Sequence, residues 1–279
     1  MPIVHRIRPA MATTFEAWLV GDDEEHLDAV AGAALDEIRR VERLLSRFDP
    51  AAEVARVNRE AAARPVRVDR ELLAILLDAR SWWERTDGSF DILAAAGARP
   101  GLRFDDRIAI DPDAATVRFL DPAARIDLGG YGKGYALDAA ARVVAEFGIR
   151  SAFLHGGTSS ALARGVGPDG HPWQIALRDP FANDPGTELG RVELVDCGFS
   201  SSATLGPGMA RSDILDPRTG TPQSEQAAVS AIAPTAAEAE VLSTALLAMG
   251  KDRGQRWQKR TQRDGVRVAW IDRDGVEWL

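Results

Sequence analysis

The chain has 279 residues, long enough for one large domain or two intimate halves, and a formal net charge of −8 with acidic and basic residues interspersed. That balance excludes the clustered basic face of a nucleic-acid binder and leaves any polyanionic ligand to local cations, backbone N–H groups or a metal. The one cysteine, Cys197, rules out an internal disulfide, and no Cys/His spacing resembles a zinc site.

Residues 4–20 alternate around a turn-like centre at 9–13, which predicts a strand pair. Residues 24–48 carry Leu27, Val30, Ala34, Ile38, Val41 and Leu45 at helical spacing, with Asp22 and Asp23 at the cap. A short helix is expected over 53–60. A long one follows over 69–85, capped by Asp69, with Leu72, Leu73, Leu76 and Leu77 on its inner face. Residues 108–119 read as a hairpin around Asp111-Pro112-Asp113.

A strand is expected to end at 125–128, and a helix over 134–147 follows a glycine-rich turn. Further strands are expected over 151–154, 173–177, 192–195 and 229–233, and Cys197 reads as a small apolar residue in a strand. Thr235 caps a helix to Met249, with Gly250 beyond its end. A helix over 253–262 and strands over 266–271 and 276–279 close the chain. Strands and helices mix without strict βαβ alternation, which predicts an α+β fold of antiparallel or mixed sheets with packed helices. No stretch approaches the roughly 18 apolar residues of a membrane span. The N-terminus lacks the pattern of a secretory signal, so a cytoplasmic protein is expected.

Three segments have the composition of a site. In residues 125–138 four glycines fall within six positions, at 129, 130, 132 and 134, before a helix that also carries Lys133. Glycine lets backbone approach a ligand, and a helix N-terminus favours an anion. The segment reads equally as a phosphate site or as a tight turn packing a helix on a strand. It is neither a Walker loop nor a dinucleotide fingerprint. Asp216-Pro217-Arg218-Thr219-Gly220 is a turn sequence. Glu240 and Thr244 lie four apart on one helical face. They read as oxygen donors for Mg²⁺ or as part of a solvated acidic first turn.

Taken in order, further segments carry a resemblance. Met11-Ala12-Thr13-Thr14-Phe15 is similar to Met-Gly-Thr-Thr-Phe, and Leu45-Ser46-Arg47-Phe48-Asp49-Pro50 to Leu-Ser-x-Phe-x-Pro. Asp87-Gly88-Ser89-Phe90-Asp91 is similar to Gly-Gly-Ala-Phe-Asp. With the glycine-rich turn, Asp216–Gly220 and the 234–245 stretch, these resemble the FAD:protein FMN transferases, the ApbE family, over nearly the whole chain.

The resemblance implies an ApbE-like, T-fold-like domain spanning residues 1–279, with an FAD cleft between two intimate halves. It implies that Met11, Phe48, Ser89, Phe90, Asp91, Asp127, Lys133 and Arg218 bind FAD. Gly130, Glu240 and Thr244 would surround Mg²⁺ on its diphosphate. The implied reaction moves FMN onto a Thr or Ser hydroxyl of an acceptor flavoprotein and releases AMP. The alternatives are an FAD-binding carrier without transfer, or hydrolysis of FAD to FMN and AMP.

This sequence departs from the family at four places. Asp213 stands where a His precedes Ile-Leu-Asp-Pro, which makes Asp213 the candidate base. His155-Gly156-Gly157-Thr158 replaces Asn-Ala-Gly-Gly-Asp, leaving His155 as either a packed residue or a second catalytic candidate. Glu240 replaces an Asp, and Ser200-Ser201-Ser202 replaces Thr/Ser-Ser-Gly.

Overall fold

The structure is a computed structural model. It describes residues 1–94, 99–184, 186–204, 212 and 214–279. In chain order the elements are β1 (Ile3–Ala10), β2 (Thr13–Val20), α1 (Glu24–Leu45), α2 (Glu53–Glu60), β3 (Val66–Arg67), α3 (Arg70–Arg85), α4 (Phe104–Arg107), β4 (Ile108–Asp111), β5 (Thr116–Phe119) and α5 (Gly132–Glu146). Then come β6 (Ser151–Gly156), β7 (Ser160–Arg164), β8 (Trp173–Arg178), β9 (Glu188–Leu194), β10 (Cys197–Ala203), β11 (Leu215–Asp216), β12 (Thr221–Pro222), β13 (Ala228–Ala233), α6 (Ala236–Met249), α7 (Lys251–Arg260), β14 (Arg267–Asp272) and β15 (Gly275–Trp278).

The main sheet has the order β1-β2-β6-β7-β10-β13-β14-β15, and each neighbouring pair is antiparallel. The α+β expectation is met with antiparallel pairing throughout the described residues. Period-2 alternation gives each strand one side for each layer. In β6, Ala152 and Leu154 join the helical core, while Phe153 packs with Trp173 and Ile175 of the β8–β9 hairpin. Helices therefore cover one face of the sheet and a hairpin covers the other.

α6 is buried almost all round, from Ala236 to Met249, and packs on β10, β13 and α5. Its alanines let the neighbours come close, and two glycines set the limit. A Cβ on Gly134 of α5 would lie 2.3 Å from the Ala236 carbonyl oxygen, and one on Gly198 of β10 would lie 2.4 Å from the Ala236 nitrogen. The first turn of α6 is thus held between two backbones that only glycine allows this near.

α5 and α6 also cap each other. Asp138 of α5 accepts from the N–H groups of Ala236 and Ala237, at 2.8 and 2.9 Å. Glu240 of α6 accepts from the N–H of Gly134 at 2.6 Å. A carboxylate at each N-terminus satisfies orphan donors and complements the helix dipole. Burial nevertheless pushes the Asp138 carboxyl up to about 6, against the pull of the two N–H groups.

Residues 125–128 are not a strand. Asn58 donates to the Ile126 carbonyl at 2.9 Å and accepts from its N–H at 2.7 Å, and Asp127 N–H pairs with the Ile92 carbonyl. The residues after 45 leave the helix because Ser46 turns extended and its hydroxyl accepts from the N–H groups of Phe48 and Asp49. No helix among the described residues is long and apolar enough to cross a membrane.

Candidate active site

The glycine-rich turn is fixed at both ends. Asp127 donates its N–H to the Ile92 carbonyl at 2.8 Å, and its carboxylate accepts from Gly129 N at 2.9 Å. The turn then enters α5 through Tyr131, whose side chain makes no capping bond among the described residues. Glu240 takes that role from 106 residues away, accepting from Gly134 N and from the Lys133 ammonium. Its side chain is only 3% exposed, and a buried carboxylate is tolerated there because both oxygens are engaged. One turn further along α6, Thr244 packs on the turn: a Cβ on Gly130 would lie 3.0 Å from its hydroxyl oxygen.

Glu240 thus meets Lys133 and Gly134 while Thr244 meets Gly130, so the turn and α6 come together. A carboxylate, a hydroxyl and a backbone carbonyl are oxygen donors suited to a hard cation. Among the described residues no three His, Cys, Asp or Glu side chains gather to hold a metal. A cation held here would have to complete its shell with water and a ligand's phosphate, as Mg²⁺ does.

The surroundings are cationic and aromatic. Arg47 lies 3.3 Å from Asp127 and 4.3 Å over the ring of Phe48, which is 79% exposed. Met11 and Ala12 form the β1–β2 turn with φ of 51° and 57°, left-handed values that non-glycine residues seldom adopt. Glu42 of α1 holds that turn by accepting from Met11 N at 2.6 Å. Backbone held in this region is a common feature of functional sites.

Ser89, Phe90 and Asp91 were expected to line the flavin cleft. All three side chains turn inward. Asp91 forms a buried ion pair with Arg107 at 2.7 Å, each side chain 3% exposed, and burial pushes its carboxyl up although Arg107 opposes this. Phe90 is 3% exposed, and Ser89 accepts from Arg253.

Arg218 lies in the β11–β12 hairpin, held by Asp216 at 2.9 Å. Arg253 of α7 is close enough that Arg218, after burial, depresses its pKa. Sequence reasoning missed Arg253, since one arginine on a charged helix carries no local signal.

His155 is placed elsewhere. It lies on the side of β6 away from α5 and α6, edge-on to Trp18 at 6.2 Å between ring centroids. It borders a cleft of about 420 Å³ with Thr14, Glu16, Thr158 and Arg178. Burial pushes its pKa down, and Nδ1 has no partner among the described residues. The sheet separates it from Lys133 and Glu240, so the structure does not bring it together with them. Asp213 falls outside the described residues; Ser212, beside it, is buried.

The chain matches the ApbE family over residues 11–270. It belongs to the ApbE family. Among its relatives, the FAD:protein FMN transferase of Klebsiella pneumoniae is 26% identical over 95% of this chain and 83% of its own length. That of Salmonella typhimurium is 27% identical over the same shares. The ApbE protein of Thermotoga maritima superposes with a TM-score of 0.84 at 23% identity, covering 99% of this chain and 96% of its own. The Pseudomonas stutzeri flavinyl transferase ApbE gives 0.82 at 22%, covering 100% and 94%. These two structures share the ApbE fold with this chain.

Proposed function

We propose that this ApbE-family chain is an FAD:protein FMN transferase that moves FMN from FAD to a Thr or Ser hydroxyl of an acceptor flavoprotein. The observation that carries the reading is the meeting of the Gly130 turn with Glu240 and Thr244. The acceptor oxygen bonds to the phosphorus next to FMN, the diphosphate P–O bond breaks toward AMP, and the hydroxyl proton passes to a base.

FAD would lie in a cleft between the two halves of the molecule. There Phe48 offers an open ring face to the isoalloxazine. Lys133, with a quarter of its side chain exposed, and the N-terminus of α5 face the diphosphate. Arg47 and Arg218 add positive charge at the rim. Mg²⁺, held by Glu240, Thr244 and the Gly130 carbonyl, would neutralise charge on the diphosphate when bound. Asp213 is the proposed base, although an ordinary aspartate with a pKa of about 3.9 is a weak one near neutrality. The cytoplasm is the proposed location, in keeping with the single free Cys197.

Incubation with FAD, Mg²⁺ and a peptide carrying a flavinylation threonine tests the reading by mass spectrometry. The expected result is AMP together with peptide heavier by one FMN less water. AMP with free FMN identifies a hydrolase instead, and unchanged bound FAD identifies a carrier.

A further inference from the structure

The serines that replace the family's Thr/Ser-Ser-Gly stretch have a structural consequence at this site. β10 alternates so that Gly198, Ser200 and Ser202 face α6, while Phe199 packs in the hairpin-side core. Ser202 Oγ lies 2.9 Å from Ser243 Oγ and 3.5 Å from Thr244 Oγ1. Ser243 Oγ in turn lies 3.1 Å from the Glu240 carbonyl and 3.1 Å from Ser200 Oγ.

A hydroxyl has one proton, so the direction of this chain can be worked out. Ser243 is placed to donate to the Glu240 carbonyl, three residues back, and to Ser200 Oγ, and its one proton goes to one of these two. Ser243 then has no proton for Ser202, so Ser202 donates to Ser243. Its proton is thereby committed, and in the 3.5 Å contact with Ser202 the donor is Thr244. Thr244 is left with its lone pairs free to face the Gly130 turn. A hydroxyl oriented in this way accepts a cation and does not donate to an anion.

We propose that Ser202 is a positioning residue that orients the Thr244 hydroxyl as a cation ligand in this chain. It acts as outer-shell partners of metal ligands do, by fixing which atom of the ligand faces the ion. The proposal rests on the metal site of the proposed transferase, and it concerns a residue that stands where the resemblance places a glycine.

The test is Mn²⁺ binding by the full chain with saturating FAD and no acceptor, read as loss of the free-ion paramagnetic resonance signal. Ser202→Ala is expected to weaken Mn²⁺ binding about tenfold. Its FAD affinity without metal and its melting temperature should stay those of the parent, and Ser202→Thr, which restores a hydroxyl, should restore the affinity. Unchanged Mn²⁺ affinity in Ser202→Ala overturns the proposal. So does an equal loss of metal-free FAD binding, or a failure of Ser202→Thr to rescue. If the parent binds FAD but no Mn²⁺, the metal site of the proposed function falls and this inference with it. If the parent binds both and Ser202→Ala binds both equally well, this inference alone falls.

Discussion

Gly134→Ala will lose about 3 kcal/mol of stability, a large share of the roughly 5–15 kcal/mol that holds a typical native protein. The added methyl meets no flexible side chain that can swing away. It would lie 2.3 Å from the Ala236 oxygen, 2.6 Å from its carbonyl carbon and 2.7 Å from the Ala237 Cα, all backbone. Relief requires α5 and α6 to separate. That would pull Asp138 from the two N–H groups it caps and Glu240 from the Gly134 N–H. Gly32→Ala is the matched control. Gly32 lies inside α1, and a methyl added there would meet nothing within 4 Å, so the substitution should stabilise by up to about 1 kcal/mol through helix propensity. Urea denaturation of the three proteins reads both effects. Equal midpoints for Gly134→Ala and the parent would show that the two helices do not cross as described.

Glu240→Gln will lower FMN transfer by about 100-fold or more, the scale of removing one preorganised charge from a phosphoryl-transfer site. It should also lower stability by about 2 kcal/mol, because a hydrogen bond to a charged group is among the stronger ones. The reason is local. The carboxylate accepts from two donors at once, the Lys133 ammonium and Gly134 N, and both oxygens can serve. A glutamine amide offers one oxygen and one NH₂, so one of the two donors then faces another donor. Glu240→Asp keeps the charge and should retain most of the transfer activity while weakening the bond to Gly134 N. AMP release for the three proteins, with denaturation curves beside it, separates the loss of chemistry from the loss of fold. Full activity in Glu240→Gln would remove Glu240 from the site.

Why some of this was legible in the sequence follows from how far each signal reaches along the chain. α1 and α3 show their apolar faces at helical spacing and their Asp caps within a few residues, and both appear where expected. β7 and β10 were harder. Serine, glycine and alanine dominate them, and they are strands because β6, β13 and each other supply the hydrogen bonds. Residues 125–128 mislead in the opposite direction, since Ile126 is paired with the Asn58 side chain and Asp127 with the Ile92 carbonyl rather than with a neighbouring strand.

The site divides in the same way. Gly130, Lys133, Glu240 and Thr244 could be named from two motifs, and the structure brings them together. Two other features needed the packed structure. Alternation puts His155 and Leu154 on opposite sides of β6, yet only the docking of α5 and α6 decides which side faces the glycine-rich turn. Asp91 likewise looks like a cleft residue until Arg107, sixteen residues away, is seen to bury it.

Crystals grown with FAD and Mn²⁺, measured for manganese anomalous scattering, test most directly whether one diphosphate is gripped between the glycine-rich turn and α6. The predicted map has a manganese peak bounded by the Gly130 carbonyl, Thr244 and Glu240, with the flavin diphosphate against it and Lys133 turned toward the phosphates. A peak bound by other residues, or flavin lodged in the His155 cleft on the far side of the sheet, would contradict it.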